Sequence, residues 1–444
     1  MSERINIVAA VDVGTNTTIC LIGWENEGHK IEILGHAIVP SAGIRRGIVL
    51  NIDETVGAVK KAIAKASENL DVEIKKLYVN VVGQHLRTVS RTLQKSIEYG
   101  KIITKADIRA LYDEARSTMQ QPGDKVYHVV NQSYTVDGET AIQNPIGIAG
   151  SELRAEYRLI VGPENYEEKI NTSLRMGGYE MVRCMVNPIA AAEAVISDDE
   201  KEAGVMVVDL GGGTTSMSVY YENVLRFISV LPFGGNVVTL DIKEGCNILL
   251  RHAESLKVQY GAAIAEAVPE NRVVTIPSVN GWDPKEISFK SLSYIIQARM
   301  EEIVENVAFQ LGKSGFGDKL GAGVVLTGGG AKLDGLKQLV RFKTGMDVRI
   351  GFPIVTLSPE QEKVLESPMF ATAFGLLKKA VKDENAQHSQ NPHTTAHANP
   401  EPAYQSEEMI AKPKKKVDKP KSKFGDNVLQ RLSLFFNEES DSEL

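Results

Sequence analysis

The sequence has few cysteines, and none is placed as a metal site requires. Cys20, Cys184 and Cys246 lie far apart, and no Cys/His spacing typical of a zinc site is present. An odd number of separated cysteines suits a reducing compartment. No apolar run approaches the ~20 residues that span a bilayer, and no signal-peptide pattern precedes the first apolar segment. We therefore expect a cytosolic protein whose only membrane contacts would be peripheral.

The sequence also lacks the positive charge of a dedicated nucleic-acid-binding protein. Its 57 acidic and 50 basic residues give a formal net charge of −7. The composition is otherwise that of a soluble globular protein, with 43% hydrophobic and 24% charged residues. Because 444 residues exceed what one hydrophobic core supports, we expect two or more domains.

One glycine-turn pattern occurs twice, in residues 11–18 (VDVGTNTT) and in residues 208–215 (VDLGGGTT). Each copy follows an apolar, β-branched run and leads into another, which predicts a strand, a tight turn and a second strand. Glycines let a phosphate approach the backbone, N–H and hydroxyl groups bind it, and the two aspartates can hold hydrated magnesium. A single such hairpin is as often an ordinary turn. Two copies in one register favour a polyphosphate site clasped from both sides.

Three further features fit a nucleotide site. Residues 328–330, Gly-Gly-Gly, follow a strand and would let a nucleoside pack against the backbone, although one such turn is equally typical of an ordinary loop. Glu254 and Lys257 share one face of a helix, and the alternative is a surface ion pair. Small side chains in two segments predict two helices that cross closely and form a hinge between domains. They are Ala190, Ala191, Ala192, Ala194, Ala371, Ala373 and Gly375.

These segments follow the order found in actin, Hsp70 and the sugar kinases, and the sequence resembles that superfamily. Within it, residues 5 to 380 resemble the FtsA family of bacterial cell-division proteins most specifically around 131–153. That region contains Val136-Asp137-Gly138 and Asn144-Pro145-Ile146-Gly147-Ile148-Ala149-Gly150. Further matching segments are Phe233-Gly234-Gly235, Asp241-Ile242, Ala253-Glu254-Ser255-Leu256-Lys257 and Tyr260-Gly261.

The resemblance implies an α/β, actin-like fold with two lobes and four subdomains around a nucleotide cleft. A disordered linker and a short amphipathic helix would follow this core. The implied division is residues 1–83 for domain 1A, 84–162 for domain 1C, 163–200 for domain 1A again, 201–240 for domain 2A, 241–300 for domain 2B, 301–362 for domain 2A again, 363–382 for the last helix of domain 1A, 383–423 for the linker and 424–437 for the membrane-targeting helix.

The resemblance also implies a site for ATP and Mg²⁺. Residues implied to face phosphate are Asp12, Gly14, Thr15 and Asn16 from one hairpin and Asp209, Gly211, Gly212, Gly213 and Thr214 from the other. Glu254 and Lys257 would reach the ribose and base, and Gly328, Gly329 and Gly330 would flank the adenine. Asp12 and Asp209 would hold the magnesium ion through water.

No catalytic residue is assigned. Efficient actin-like ATPases orient the attacking water with a Gln or Glu near the first connector, whereas residues 186–189 read Val-Asn-Pro-Ile. A general base must lie within hydrogen-bond reach of the water. Tight ATP binding with slow or negligible hydrolysis is therefore expected. Glu193 is an alternative base, but its position is equally typical of a helix surface.

The last 60 residues differ in character from the rest. Residues 383–411 are polar and aperiodic, which predicts a disordered linker, and a lysine-rich stretch follows: Lys412, Lys414, Lys415, Lys416, Lys419, Lys421 and Lys423. In a helix, one side of residues 424–437 would carry Phe424, Val428, Leu429, Leu432, Phe435 and Phe436. Such a helix could dock on the protein's own core, but the lysines favour an in-plane anchor on an anionic membrane. The acidic residues Glu438, Glu439, Asp441 and Glu443 follow and should weaken lipid binding.

The resemblance implies a role in cell division and septum formation. With ATP bound, the protein would polymerise and tether the FtsZ ring to the cytoplasmic face of the inner membrane. Domain 2B would bind the FtsZ C-terminal peptide, and domain 1C would contact filament neighbours and later division proteins. The alternative is a small-molecule phosphotransferase of the same superfamily, for which we find no carboxylate base beside a substrate pocket. An Hsp70-like chaperone would need a substrate-binding domain that the polar C-terminal residues do not provide.

Overall fold

The computed structural model describes residues 6–118, 121–276, 284–354 and 365–390. The predicted 424–437 helix and most of the predicted linker lie outside these ranges. The strands are β1 Val8–Val13, β2 Thr17–Glu25, β3 Ile31–Pro40, β4 Ile44–Arg45, β5 Ile48–Val49, β6 Lys76–Val81, β7 Arg87–Ser96, β8 Asp124–Val136, β9 Glu139–Ile142, β10 Glu152–Pro163, β11 Glu180–Val186, β12 Val205–Leu210, β13 Thr215–Tyr221, β14 Val224–Leu231, β15 Val273–Ile276, β16 Lys285–Ser288, β17 Val324–Thr327 and β18 Val348–Ile350. The α-helices are α1 Ile52–Ala66, α2 Lys105–Ser117, α3 Asn165–Gly177, α4 Asn187–Val195, α5 Asp198–Ala203, α6 Gly235–Cys246, α7 Leu250–Tyr260, α8 Phe289–Ser314, α9 Leu336–Thr344 and α10 Ala371–Gln390.

The first lobe is built on a five-stranded sheet with the order β11-β6-β1-β2-β3. β1 and β2 form an antiparallel hairpin, whereas β6 lies parallel to both β1 and β11. α1 and α3 pack together on this sheet, and α4 and α10 form a second packed pair. Residues in β1 and β2 are buried almost without interruption, as expected of strands that are covered on both faces.

The second lobe and the insertion formed by residues 84–162 share a nine-stranded sheet. Its order is β18-β17-β12-β13-β14-β7-β10-β8-β9, in which the first five strands belong to the second lobe. The two parts meet between β14 and β7, where the only register pair is Ser229 with Arg87. Beside this pair, the Thr88 hydroxyl accepts a hydrogen bond from the Ile228 N–H at 2.9 Å. The insertion is thus a separately packed unit that joins the second lobe along a short strand edge.

Local sequence signals set several helix boundaries. Thr104 with Asp107 three residues on predicts a capping box, and α2 begins with it. Thr104 Oγ1 accepts from the Asp107 N–H, and the Asp107 carboxylate accepts from the Thr104 N–H at 2.9 Å. The sequence predicts one long helical stretch from about Val238 to Gln259, and this prediction is wrong. Asn247 adopts a left-handed conformation with φ of 47° and ends α6, and a new helix begins at Leu250. No helix in the described ranges combines the length and hydropathy needed to cross a bilayer.

The predicted close crossing of two small-residue helices is confirmed. α4 and α10 approach so closely that a Cβ placed on Gly375 would lie 1.8 Å from the Ala190 carbonyl oxygen. Ala190, Ala191, Ala373 and their small neighbours are fully buried at this crossing. α10 then runs to Gln390, beyond residue 383 where the sequence predicts the start of the linker.

Candidate functional site

The two glycine turns lie in contact where the lobes meet. In the β1–β2 turn the Gly14 N–H donates to the Thr17 carbonyl at 3.1 Å, and in the β12–β13 turn the Gly211 N–H donates to the Thr214 carbonyl at 2.9 Å. A Cβ on Gly212 would lie 2.5 Å from the Asn16 side chain. The second turn therefore needs glycine in order to pack against the first.

A chain of side-chain hydrogen bonds connects the aspartates of the two hairpins. Asn80 Nδ2 donates to Asp12 Oδ1 at 2.6 Å and to Asn187 Oδ1 at 3.0 Å. Asn187 Nδ2 in turn donates to Asp209 Oδ2 at 2.6 Å. The Val13 N–H fixes the orientation of Asn80 by donating to its Oδ1 at 2.8 Å. Two carboxylates from different lobes are thus held in one polar cluster.

Both carboxylates are easier to protonate than ordinary aspartates. Burial, followed by the negative charge of Asp209, raises the pKa of Asp12 to about 8, although the Asn80 hydrogen bond acts in the opposite direction. Burial raises the pKa of Asp209 to about 6 against the hydrogen bonds from Asn187 and Thr372. A cation beside the two groups would remove this mutual repulsion, so the donor set fits a magnesium ion.

The amide side chains of Asn16 and Asn236 form a second link between the lobes. Asn16 Nδ2 donates to Asn236 Oδ1 at 2.7 Å, and Asn236 Nδ2 donates back to Asn16 Oδ1 at 2.8 Å. Asn236 lies in the first turn of α6, and its N–H donates to the Gly212 carbonyl at 2.8 Å. The start of α6 is therefore tied to both glycine turns.

Glu254 and Lys257 are more than a surface ion pair. Lys257 Nζ contacts Glu254 Oε2 at 2.7 Å, but it also donates to the Gly235 carbonyl at 2.9 Å and to Thr239 Oγ1 at 2.7 Å. The Lys257 side chain is only 14% exposed, whereas that of Glu254 is 42% exposed. The pair positions α7 against the start of α6, close to the glycine turns.

The third glycine turn lies against the second hairpin. Gly328 has φ of +80°, and a Cβ there would lie 2.1 Å from Asp209 Oδ1. A Cβ on Gly330 would lie 2.8 Å from the Leu210 side chain. The structure therefore places all three predicted glycine turns around the Asp12 and Asp209 carboxylates.

Four polar residues of this cluster were not predicted from the sequence: Asn80, Asn187, Asn236 and Thr372. Asn80 had a detectable signal, because it is a lone amide within the apolar run 77–82. Asn187 immediately precedes Pro188 at the start of α4. Thr372 lies at the start of α10 and has no comparable signal in the sequence.

The alternative base Glu193 is held elsewhere. It lies six residues after Asn187 in α4, which corresponds to roughly 9 Å along the helix. Its carboxylate accepts from Lys201 Nζ at 3.2 Å. This pairing fits the interpretation of Glu193 as a helix-surface residue.

Several solved structures share this fold. The PilM–PilN type IV pilus biogenesis complex matches with a TM-score of 0.57 and 18% identity, covering 84% of this chain and 98% of that chain. MreB5 of Spiroplasma citri bound to ADP gives a TM-score of 0.50 at 13% identity, with 86% and 98% coverage. The MamK double helical filament gives 0.50 at 12% identity, with 84% and 98% coverage. The predicted actin-like α/β fold is therefore confirmed.

Family models match two parts of the chain. The model described as cell division protein FtsA matches residues 206–375, and the model of the SHS2 domain inserted in FtsA matches residues 83–161. FtsA of Neisseria meningitidis is 33% identical over 385 residues, which cover 86% of this chain and 92% of that protein. FtsA of Escherichia coli is 30% identical, with 84% and 89% coverage. The chain belongs to the FtsA family of cell division proteins.

Proposed function

We propose that the protein binds ATP with Mg²⁺ between its lobes and uses the bound state to anchor FtsZ filaments at the membrane. The observation that carries the nucleotide proposal is the meeting of three glycine turns around Asp12 and Asp209, because each turn exposes backbone that a phosphate or a nucleoside can approach. The ADP-bound MreB5 of the same fold supports a nucleotide as the ligand.

Each part of the site has a defined role in this proposal. The turns at Gly14 and at 211–214 bind the phosphates through N–H groups, with Thr15 and Thr214 as hydroxyl donors. Lys257, with Glu254, contacts the ribose and base from α7. Residues 328–330 flank the adenine. Asp12 and Asp209 hold hydrated magnesium, which supplies charge neutralisation for the phosphates when it is bound.

Slow hydrolysis is part of the proposal. Asn187 occupies the start of α4, and both of its amide atoms are engaged in the chain between Asp12 and Asp209. An amide with this bonding is a poor proton acceptor for an attacking water. We infer that ATP acts mainly as a ligand that holds the lobes together.

Membership of the FtsA family supports the proposed assembly roles. Domain 2B, residues 241–300, binds the FtsZ C-terminal peptide, and the insertion contacts filament neighbours and later division proteins. Residues 424–437 attach filaments to the cytoplasmic face of the inner membrane. Several weak anchors on one filament would add their affinities.

Replacing Leu432 by glutamate is expected to release the protein from anionic vesicles. The change puts a charge on the apolar side of the predicted 424–437 helix. Losing the burial of one leucine side chain, worth ~1.5–3 kcal/mol, should lower vesicle affinity about tenfold or more. Sedimentation of the full-length protein with anionic vesicles and ATP measures the bound fraction.

The matched control is Ser433→Glu, which adds the same charge one residue away on the predicted polar side. It should retain most of the wild-type binding. If both variants sediment with vesicles as the wild type does, residues 424–437 are not the anchor. If both lose binding equally, charge rather than an apolar helix face determines the attachment.

A further inference from the structure

A cavity of about 340 Å³ lies where the insertion meets the second lobe. None of its lining residues belongs to the candidate nucleotide site. Strands β7 to β10 form one wall, and the β13–β14 turn with Phe316 forms the other. The lining residues are Ser90, Arg91, Thr92, Gln132, Ser133, Ala141, Gln143, Glu156, Tyr157, Arg158, Glu222, Arg226 and Phe316. Its volume is in the range typical of ligand sites.

Three arginines line this cavity, and two of them have no carboxylate partner among the residues that the structure describes. Arg158 donates to the Ser90 hydroxyl, and Arg91 makes no ion pair or hydrogen bond with any residue that the structure describes. Arg226 pairs with Glu222 at 3.0 Å and is only 11% exposed. The one other carboxylate in the lining, Glu156, pairs with none of the described cations. The cavity can therefore hold an additional negatively charged group.

Arg226 and Arg158 are close enough to repel each other. Burial, together with the positive charge of Arg158, lowers the pKa of the Arg226 guanidinium below its ordinary value, although Glu222 acts to raise it. A carboxylate between two guanidinium groups would relieve this repulsion and could accept N–H donors from both, although each nitrogen of Arg226 already donates one hydrogen bond, to Tyr221, Gln132 or Glu222. The side chains of Thr92, Ser133 and Gln143 make no hydrogen bond with the residues that the structure describes and can bond a peptide backbone.

The chain itself contains a segment of matching chemistry. Residues 438–443, Glu-Glu-Ser-Asp-Ser-Glu, carry four carboxylates and no cation. We propose that this acidic segment docks in the cavity, with its carboxylates paired to Arg91, Arg158 and Arg226. The docked segment would bridge the insertion and the second lobe, adding to the β7–β14 contact and to the hydrogen bond from Gln132 Nε2 to the Leu225 carbonyl.

The intervening chain is long enough for this contact. α10 ends at Gln390, which leaves 47 residues before Glu438. As the predicted linker and helix, residues 391–423 would span a root-mean-square distance of roughly 30 Å and residues 424–437 a further ~21 Å. α10 also approaches the same insertion strand that lines the cavity. Burial, followed by the charges of Arg183 and Lys379, lowers the pKa of His128 in β8 to about 4. Gln132 and Ser133 lie only four and five residues further along β8, about 14–17 Å away.

Docking has a consequence for membrane attachment, which rests on the proposed function. Residues 424–437 directly precede the acidic segment, so a docked segment would keep that helix beside the insertion and away from lipid. Simple repulsion between the acidic segment and an anionic membrane would be insensitive to Arg158. If the segment docks, neutralising either the acidic segment or Arg158 should release residues 424–437 and increase vesicle binding.

The test uses a fluorescent peptide of residues 437–444 and measures its anisotropy with the full-length protein. The acceptor is a variant whose own segment is neutralised by Glu438→Gln, Glu439→Gln, Asp441→Asn and Glu443→Gln. We expect this acceptor to bind the peptide at least tenfold more tightly than the wild type, whose own segment competes. Adding Arg158→Glu or Arg91→Glu should abolish binding, and because Arg91 is exposed and unpaired, its change should not disturb folding.

The matched control is Arg341→Glu in the same acceptor, since Arg341 is 67% exposed and lies in α9, outside the cavity. Equal peptide binding by the Arg91, Arg158 and Arg341 variants would overturn the proposal. So would equal affinity of the wild type and the neutralised acceptor, because the native segment would then not occupy the site. A peptide with Gln and Asn in place of the acidic residues should not bind. None of these readouts requires ATP, FtsZ or lipid, so failure here is distinguishable from failure of the proposed function.

Discussion

Replacing Asp12 by asparagine is expected to stabilise the nucleotide-free protein at pH 8.5 and to abolish its magnesium-dependent binding of ATP. Asparagine keeps the shape of the side chain and can still accept from Asn80 Nδ2, which donates to Asp12 at 2.6 Å. It removes a charge that the folded protein disfavours, because burial and the nearby Asp209 raise the pKa of Asp12 to about 8. It also removes one of the two proposed magnesium-holding carboxylates.

The pH dependence follows from the direction of the shift. Between about pH 4 and pH 8 the folded state retains a proton on Asp12 that the unfolded chain has released. The free energy of unfolding therefore falls by up to about 1.4 kcal/mol for each pH unit in that window. Asp209, with a pKa of about 6, adds a similar loss between about pH 4 and pH 6. Asp12→Asn should flatten this decline, as measured by urea unfolding from pH 5 to pH 9.

Asp137→Asn is a control for which the opposite change in stability is expected. Hydrogen bonds from the Ser151 hydroxyl and from the Glu152 and Ser151 N–H groups lower the pKa of Asp137. The folded protein thus favours the charged form, whose stabilisation is present above the ordinary pKa and is lost as the pH falls through the lowered one. This variant should lose stability at pH 8.5 and keep ATP binding. If Asp12→Asn instead destabilises the protein at pH 8.5, the nucleotide-free folded protein does not disfavour the charged form of Asp12.

The glycine turns could be predicted because their signal is local. A short Gly-rich motif between two β-branched runs determines a hairpin, and the repeat of residues 11–18 at 208–215 indicated that the two act together. The small residues of α4 and α10 likewise predicted a close crossing, because only small side chains allow it. In both cases each short segment shows on its own which residues the local structure needs.

The polar chain between the lobes could not be predicted in this way. Asn80, Asn187 and Thr372 come from β6, α4 and α10, which are distant in sequence and meet only in the folded protein. The β14–β7 edge is similar, because nothing local in either strand specifies its partner. The break at Asn247 was missed for a different reason: the apolar spacing continues through it, while one residue changes the backbone direction.

Replacing Gly375 by alanine is expected to lower both the stability and the ATP affinity of the protein. The new Cβ would lie 1.8 Å from the Ala190 carbonyl oxygen, so α4 and α10 must move apart. Overpacking of this kind costs about 1–3 kcal/mol, which exceeds the ~1 kcal/mol that alanine contributes over glycine within a helix. Thermal unfolding should show a clear drop in the midpoint temperature.

The matched control is Gly57→Ala in the middle of α1. Gly57 is exposed, and a Cβ there would meet nothing within 4 Å. This change should therefore raise stability by about 0.5–1 kcal/mol through helix propensity alone. If Gly375→Ala also raises the unfolding temperature, the helices can separate without cost, and their crossing does not constrain the lobes.

The loss of ATP affinity should accompany the loss of stability because both helices begin beside the same carboxylate. Asn187 at the start of α4 and Thr372 at the start of α10 each donate a hydrogen bond to Asp209. Moving the helices apart cannot preserve both bonds in their present geometry, so the position of Asp209 relative to Asp12 must change. Calorimetric titration with ATP and Mg²⁺, well below the unfolding temperature of each variant, separates this displacement from unfolding. Weaker binding by Gly375→Ala with unchanged binding by Gly57→Ala would identify the helix crossing as the element that sets the spacing of the two carboxylates.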